Sequence, residues 1–294
     1  MTLYKQISNN KTRTFIIFFL FILFISAFFF IIGKYFESPI IYFAIGITFS
    51  LCSAFASYFY SDKIVLFTVR AKQAKKQEYF NFYTTVENLS MAAGLPMPKL
   101  YVIKDMAPNA FATGRNPKHA IICATSGLLS KLDRTELEGV MAHELSHIKN
   151  YDILLASVLA VLVGSIALIS DWVLRSIFWG GDRKNKSLIA IVLFLVMLII
   201  APLVATLIQL SLSRQREYMA DASAALLTRY PEGLARALEK ISSDPQQMRH
   251  ATSSTAHLFI TNPFKKRKGM GNWFTSLFQT HPPIDERIRI LRSM

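Results

Sequence analysis

The sequence predicts a mainly α-helical, multi-pass membrane protein that also contains a small β-sheet. Its 294 residues are 52% hydrophobic and include 23 phenylalanines, which is more apolar than soluble domains usually are. Four apolar runs account for this composition, at residues 15–32, 39–60, 153–170 and 187–213. Each reaches the roughly 18–20 residues with which a helix crosses a bilayer core. We therefore expect four transmembrane helices, arranged as two hairpins.

The net charge of +14 fits a nucleic-acid ligand, a basic folded surface or the positive-inside bias of membrane proteins. Basic residues cluster beside the first two apolar runs: Lys5, Lys11, Arg13, Lys63, Arg70, Lys72, Lys75 and Lys76. This arrangement favours the positive-inside bias and predicts that the N-terminus and the region after Ser61 are cytoplasmic. No nucleic-acid-binding motif accompanies the charge, so we expect no nucleic-acid partner.

The cysteines and the first apolar run indicate the compartment. Cys52 and Cys123 are the two cysteines of the chain; they predict no disulfide framework, which fits a reducing environment. The first run has a basic flank like that of a signal peptide. It is longer than an ordinary signal-peptide core and leads directly into a second run, so we interpret it as a retained anchor.

The segments outside the apolar runs predict a small folded domain. We expect strands at 99–104, 110–113 and 119–124, and helices at 70–93, 213–230, 231–242 and 284–292. A further helix opens with the capping-box pattern formed by Thr135 and Glu138 and runs through His147. This helix either continues into the third apolar run or breaks at residues 150–152.

Two basic loops leave alternatives open. Arg183, Lys184 and Lys186 lie between the third and fourth runs, where the loop is expected to be outside the cytoplasm. Either the bias of the N-terminal half dominates and both runs cross, which we prefer, or they form a shallow hairpin that does not fully cross. The basic loop at 262–271 is either a solvated linker or a contact for anionic lipid.

Residues 143–147, His-Glu-Leu-Ser-His, match the pattern H-E-x-x-H. On a helix, positions i and i+4 lie on one face, so His143 and His147 can bind a single metal ion. Glu144 lies beside them, where it can act as a base on a water at that ion. The simpler alternative is a surface helix turn with two solvated histidines.

A second segment can complete such a site, because a catalytic zinc usually has three protein ligands. Glu217 and Asp221 are also spaced i, i+4. Glu217 can supply the third ligand, and Asp221 can accept a hydrogen bond from the free ring nitrogen of a ligand histidine. Alternatively, the two carboxylates form an exposed acidic pair that interacts with neighbouring arginines.

In combination these motifs resemble the gluzincin metalloproteases, and in particular the HtpX-type membrane proteases, which are relatives of the CAAX-prenyl zinc endopeptidases. The four apolar runs, the segment Asn109-Ala110-Phe111-Ala112-Thr113-Gly114 and the segment His281-Pro282-Pro283 contribute to the resemblance. The resemblance implies one Zn²⁺ held by His143, His147 and Glu217, with Glu144 as catalytic base. It further implies a substrate-binding edge strand that contains Asn109, Ala110, Phe111 and Ala112.

The resemblance also implies a location and a division of the chain. We expect a bacterial inner-membrane protein whose N-terminus and gluzincin-like zinc protease domain are cytoplasmic. Residues 1–61 would form the first transmembrane hairpin and 153–212 the second. Residues 62–152 would form the half of the protease domain with the HExxH helix, and 213–294 the half with the third ligand.

The expected activity is hydrolysis of peptide bonds in misfolded or damaged membrane proteins, as part of quality control and stress response. An unpaired edge at 110–113 would bind an extended peptide by strand addition. Both halves of the metal site lie within about two helical turns of an apolar run, which predicts cleavage of unfolded or loop segments near the cytoplasmic membrane face.

The donor that stabilises the oxyanion is open among His257, His281, Tyr218 and Arg214, of which we favour His281. The competing hypothesis for the whole chain is a non-catalytic membrane metal-binding protein, such as a sensor, a carrier or an inactive scaffold. That hypothesis explains the spans and the ligands equally well, but it gives Glu144 no role.

Overall fold

A computed structural model of the chain describes residues 3–35, 37–179, 214–264 and 282–294. The predicted fourth span at 187–213, the basic loop at 183–186, most of the basic loop at 262–271 and His281 lie outside the described residues. The described part is mainly helical with one small mixed sheet.

Three helices of the described part are long and apolar enough to cross a membrane. They are α1 (Leu3–Tyr35), α2 (Pro39–Thr68) and α6 (Asp152–Trp179), and they contain the first three predicted spans. Residues one helical turn apart on α1 are buried against α6: Ile17, Phe21 and Ile25 pack with Leu155, Val158, Leu159 and Leu162. The opposite face of α1 exposes Phe15 and Phe19, as expected for a surface that contacts lipid.

Helices α1 and α2 pack closely because small residues line the face of α2 that is buried. A Cβ added at Gly46 would lie 2.8 Å from the Cβ of Phe29 on α1. Ser50, Ser57 and Ser61 continue the same buried face. Small residues are the usual means by which membrane helices approach one another.

The sheet contains β1 (Lys72–Gln73), β2 (Lys99–Ile103), β3 (Ala110–Gly114) and β4 (Ala120–Thr125) in the order β1-β2-β4-β3. Strands β2 and β4 are parallel, whereas the other two pairings are antiparallel. The three predicted strands are confirmed to within one residue at each end. Strand β3 lies at one edge of the sheet, with Phe111 opposite Cys123 of β4.

The predicted helix at 70–93 is wrong in its first part. Helix α2 ends at Thr68 and Arg70 has a φ of 54°, so the chain turns there. Residues 72–73 then pair with β2, and the Ala74 amide donates to the carbonyl of Leu100. Pairing with a distant strand overrides the local helical preference, and the helix α3 is confined to Phe80–Ala93.

Helix α5 (Arg134–Lys149) carries the HExxH motif and is capped differently from the prediction. The N-cap is Asp133, whose Oδ1 accepts from the amide of Glu136 at 2.9 Å. Glu136 reciprocates by accepting from the Asp133 amide at 2.8 Å. Two capping-box patterns overlap here, Asp133 with Glu136 and the predicted pair of Thr135 with Glu138. The first pair forms the capping box, because Asp133 is the residue with the extended backbone of an N-cap.

Helix α5 is not continuous with α6, which decides between the two alternatives for residues 150–152. Asn150 is the C-cap of α5. Tyr151 has a φ of 60°, a left-handed conformation that ends a helix. Helix α6 then begins at Asp152.

Six further elements belong to the described residues. They are a 3₁₀ turn at Pro117–His119, α4 (Ser126–Lys131), α7 (Arg214–Thr228), α8 (Pro231–Ser243), a 3₁₀ turn at Ala256–Leu258 and α9 (Ile284–Arg292). Val140, Met141, Leu145 and Ile148 of α5 are fully buried in the core formed with these elements. Helix α5 is therefore held on several sides by α3, α7, α8 and β3.

Candidate metal centre

The two histidines of the HExxH motif face each other at the centre of the domain. Their Nε2 atoms are 3.1 Å apart on consecutive turns of α5. Helix α7 brings Glu217 opposite them, with Oε2 at 3.8 Å from His143 Nε2 and Oε1 at 3.6 Å from His147 Nε2. The predicted triad of His143, His147 and Glu217 is thus brought together, with one donor atom from each within 4.8 Å of the others.

The donor set fits a zinc ion. A tetrahedral ion with metal–nitrogen distances of 2.0–2.1 Å separates its ligand atoms by about 3.3 Å. The two histidine nitrogens are 3.1 Å apart, close to that value, and Glu217 places one oxygen 3.8 Å from the nitrogen of His143 and the other 3.6 Å from that of His147. Two imidazoles and one carboxylate are also the ligands that zinc takes in catalytic sites.

Each of the two histidines is oriented by a carboxylate on its other ring nitrogen. Asp221, one turn after Glu217, has Oδ1 at 3.0 Å from His143 Nδ1. Asp152 has Oδ2 at 3.1 Å from His147 Nδ1. A hydrogen bond at Nδ1 leaves Nε2 of each ring available for a metal.

Asp152 is a site residue that the sequence analysis did not identify. It follows His147 by five positions, which on one continuous helix would place it on another face. The left-handed Tyr151 redirects the chain and returns the Asp152 carboxylate to the histidine. Arg216 of α7 also contacts Asp152, at 3.4 Å.

Arg287 of α9 is a second residue that the sequence analysis missed, and its side chain is fully buried. Its Nε and Nη2 bind the Asp221 carboxylate at 2.8 and 2.7 Å, and its Nη1 lies 3.6 Å from Glu217 Oε2. A signal for it exists in the sequence. Ile284, Ile288 and Leu291 define the apolar face of α9, and Arg287 lies on that face, where an unpaired charge would be costly.

Burial and neighbouring charges shift the pKa values of three central side chains. Burial raises the pKa of Glu144 to about 7, with the charge of Glu217 acting in the same direction. Burial alone would lower the pKa of His147, but the Asp152 hydrogen bond and the Glu217 charge raise it to about 9. The pKa of His143 is lowered, mainly by burial. Glu144 is thus a carboxyl that takes up and releases a proton near neutral pH.

The predicted substrate strand lies beside the motif, but its edge is not unpaired throughout. Ala110, Phe111 and Ala112 are buried, and the Ala112 amide donates to the Glu144 carboxylate. The Ala110 carbonyl accepts from the Ile260 amide at 2.9 Å. The Gly114 amide donates to Ser157 Oγ at 3.2 Å. The prediction of a free edge at 110–113 is therefore wrong at Ala110, which the segment containing Ile260 covers.

Two other residues of the predicted strand have structural contacts. The ring of Phe111 packs against Phe259 with centroids 5.0 Å apart. The side-chain Nδ2 of Asn109 donates to the carbonyl of Thr261 at 3.0 Å. Both contacts fix the segment at 259–261 against the start of β3.

Of the four residues predicted as candidate oxyanion donors, two have hydrogen-bond partners, one is exposed and one is outside the described residues. His257 Nε2 is 3.0 Å from the carbonyl oxygen of Ala156 in α6. The Tyr218 hydroxyl is hydrogen-bonded to Glu286. Arg214 is exposed at the start of α7, and His281 lies outside the described residues.

Membrane-type helices joined to an HExxH helix, with a third donor on a separate helix, define a membrane-bound metalloprotease. Comparison with known proteins identifies the family within this class. The model of peptidase family M48 matches residues 76–294. The chain belongs to peptidase family M48.

Curated relatives match the chain over its whole length. A protein named "Protease HtpX homolog" from Dictyoglomus thermophilum is 48% identical over 297 residues, which cover 100% of this chain and 95% of the relative. One of the same name from Tropheryma whipplei is 44% identical over 293 residues, with 99% and 98% covered. The predicted resemblance is confirmed, and the chain is a membrane-bound protease with zinc as its cofactor. The alternative of a non-catalytic metal-binding protein is not favoured.

A solved structure, that of S. mikatae Ste24p, is also similar. It is 17% identical with a TM-score of 0.49, and the match covers 98% of this chain and 67% of that one. This degree of likeness is too low to carry an argument, so the assignment depends on the family model and the curated relatives.

Proposed function

We propose that this membrane-bound zinc protease cleaves unfolded or loop segments of misfolded or damaged membrane proteins, close to the cytoplasmic face of a bacterial inner membrane. One observation carries the proposal. The ring of His147 is hydrogen-bonded to Asp152, the first residue of a helix that is long and apolar enough to span a membrane. The site therefore lies within about one helical turn of the end of that helix.

His143, His147 and Glu217 would hold the zinc ion, with Asp221 orienting His143. When bound, zinc supplies a Lewis acid that acidifies water and polarises the scissile carbonyl. Glu144 takes the proton of the attacking water and passes it to the leaving amine. Its burial suits both transfers, because burial raises the pKa of the carboxyl and so makes it a stronger base than an exposed glutamate.

Substrate would bind to the part of β3 that remains between its two covered ends. The residues of β3 whose backbone groups point away from β4 are Ala110, Ala112 and Gly114. Ile260 covers the first and Ser157 the last. An extended peptide would then pair with the carbonyl of Ala112, whose amide is bonded to Glu144, and this short contact implies little sequence preference.

The orientation and the division of the chain remain predictions. The basic residues after α2 support a cytoplasmic catalytic domain, because Arg70, Lys72, Lys75 and Lys76 are all exposed. A fourth span at 187–213 would return the chain from α6 to α7. The four segments would then be 1–61, 62–152, 153–212 and 213–294, with the two membrane hairpins alternating with the two halves of the protease domain.

A substrate pair tests the membrane-proximal cleavage. One cleavable, unstructured segment would be placed either directly after the transmembrane helix of a reporter protein or beyond a linker of about 40 residues, which in coil form reaches some 35 Å. Both reporters would be reconstituted in liposomes with the full-length protease. We expect faster cleavage of the adjacent segment, and equal rates for both reporters would overturn the proposal.

A further inference from the structure

The N-terminal membrane helix reaches the metal centre through the buried side-chain amide of Asn10. Asn10 of α1 is 2% exposed. Its Nδ2 donates to the carbonyl oxygen of Asn150 at 3.0 Å and to Asp152 Oδ1 at 2.8 Å. Both hydrogens of the amide are thereby used, and both acceptors belong to the link between α5 and α6.

This link is a part of the chain that needs support. Asn150 caps the end of α5, where carbonyl groups lack partners within the helix. Tyr151 between the two acceptors has a φ of 60°, a conformation that persists in a residue with a side chain only when its surroundings hold it. The next residue of α1, Lys11, places Nζ 5.3 Å from the centre of the Tyr151 ring. Two consecutive residues of α1 thus hold the link.

The contact continues to the metal site through one carboxylate. Asp152 Oδ1 accepts from Asn10, and Asp152 Oδ2 lies 3.1 Å from His147 Nδ1. Because the two oxygens are rigidly connected, the bond to Asn10 fixes the direction from which Oδ2 meets the histidine ring. Arg216 also reaches Oδ1, but at the longer distance of 3.4 Å.

We propose that Asn10 is a positioning residue for the zinc ligand His147 and acts through Asp152. The first membrane helix then has a role in metal retention besides anchoring the chain. This inference rests on the proposed role of His147 as a ligand. It predicts that changes at one residue of α1 alter how long zinc stays bound.

The test compares zinc dissociation from variants of the full-length protein in detergent. Asn10→Ala removes the amide, and Asn10→Leu removes the donors while keeping the side-chain volume. Loss of a group that orients a metal ligand typically costs 10–100-fold in affinity, and for this more distant group we expect zinc release to a chelator to be about 3–10-fold faster. Asn9→Ala, at a half-buried neighbour of the same type, is the matched control and should release zinc at the wild-type rate.

A double variant tests whether Asn10 acts through Asp152. Asp152→Ala alone should release zinc faster than Asn10→Ala, and adding Asn10→Ala to it should change nothing further. If Asn10→Ala speeds zinc release by the same factor in the wild type and in Asp152→Ala, the substitution loosens helix packing in general and the proposal is overturned. Release at the wild-type rate from both Asn10→Ala and Asn10→Leu would also overturn it. Retention of zinc by His147→Ala would instead overturn the ligand set on which the proposal rests, so the two failures are distinguishable.

Discussion

Arg287 and Asp221 form a buried two-point ion pair directly behind His143, the proposed metal ligand. The guanidinium binds both carboxylate oxygens, at 2.8 and 2.7 Å, while Asp221 Oδ1 lies 3.0 Å from His143 Nδ1. Asp221 therefore has two functions at once. It holds the ring of His143, the proposed zinc ligand, and it neutralises a cation that no solvent reaches.

Arg287→Ala is expected to destabilise the protein strongly. The substitution leaves the carboxylates of Asp221 and Glu217 buried without their cation, and removal of one partner of a buried pair typically costs about 3–5 kcal/mol. Thermal unfolding of the full-length protein in detergent measures the loss. Arg289→Ala, at an exposed position of the same helix, should leave the unfolding temperature almost unchanged.

A paired replacement, Arg287→Met with Asp221→Leu, separates stability from metal binding. We expect it to recover part of the stability lost in Arg287→Ala, because the Asp221 charge is removed together with its guanidinium partner; Glu217 still loses its 3.6 Å contact with Arg287. The double variant should still bind zinc about 10–100-fold more weakly than the wild type, because His143 has lost the carboxylate that orients it. Wild-type zinc affinity in the double variant would contradict the role assigned to Asp221.

Glu144→Ala and Glu217→Ala are expected to abolish proteolysis for different reasons. Glu144 is the proposed base and not a proposed ligand, so its loss should leave zinc content unchanged while hydrolysis falls by about 10²–10⁴-fold. Glu217 supplies the third donor, so its loss should deplete zinc. Zinc content and casein hydrolysis, measured on both purified proteins, check the difference. Substantial hydrolysis by the Glu144 variant would contradict its assignment as the base.

The part of the site that is local in sequence was predictable, and the part that depends on tertiary structure was not. His143 and His147, like Glu217 and Asp221, are separated by one helical turn, so the period of the helix alone places each pair on one face. Asp152 reaches the same centre because the left-handed Tyr151 precedes it, and Arg287 reaches it from α9, a helix distant in the chain. A left-handed Tyr151 has no sequence signature comparable to that of glycine.

The fold shows the same division. The long apolar helices and three strands follow from length and composition. Strand β1 has only two residues and exists through its pairing with β2, which explains why the sequence indicated a helix there. The hydrogen bond by which Ile260 covers β3 likewise joins residues far apart in the chain, and no local sequence pattern predicts it.

Asp133→Ala is expected to destabilise the HExxH helix by about 1 kcal/mol, the usual effect of losing an N-cap. The pKa of Asp133 is lowered, first by its hydrogen bond to the Glu136 amide and then by Thr135. A lowered pKa means that the stabilisation is complete above the unfolded-state value of about 4 and is lost as the pH falls through the folded-state value. The difference between wild type and variant should therefore shrink in acid.

Glu138→Ala is the matched control for the cap, because Glu138 belongs to the box predicted from sequence and not to the one observed. Its contact is an exposed ion pair with Arg134 at 3.1 Å, which is worth about 0.3–0.5 kcal/mol at most. Urea unfolding at neutral pH compares the two variants. A larger loss for Glu138→Ala than for Asp133→Ala would contradict the observed cap.

Gly139→Ala is expected to damage the site without changing any group in it. A Cβ at Gly139 would lie 2.6 Å from the backbone nitrogen of Leu234 in α8, and backbone cannot move aside as the end of a side chain can. Overpacking of this kind typically costs about 1–3 kcal/mol, and the displaced α5 would carry His143 away from Glu217. The unfolding temperature and the zinc content should both decrease. Gly164→Ala is the control, since among the described residues its Cβ would meet the side chain of Ser254 at 3.7 and 3.9 Å, which is ordinary contact, and alanine in a helix is favoured over glycine by about 0.5–1 kcal/mol. Equal tolerance of the two substitutions would contradict the close contact between α5 and α8 that holds the metal-binding helix in place.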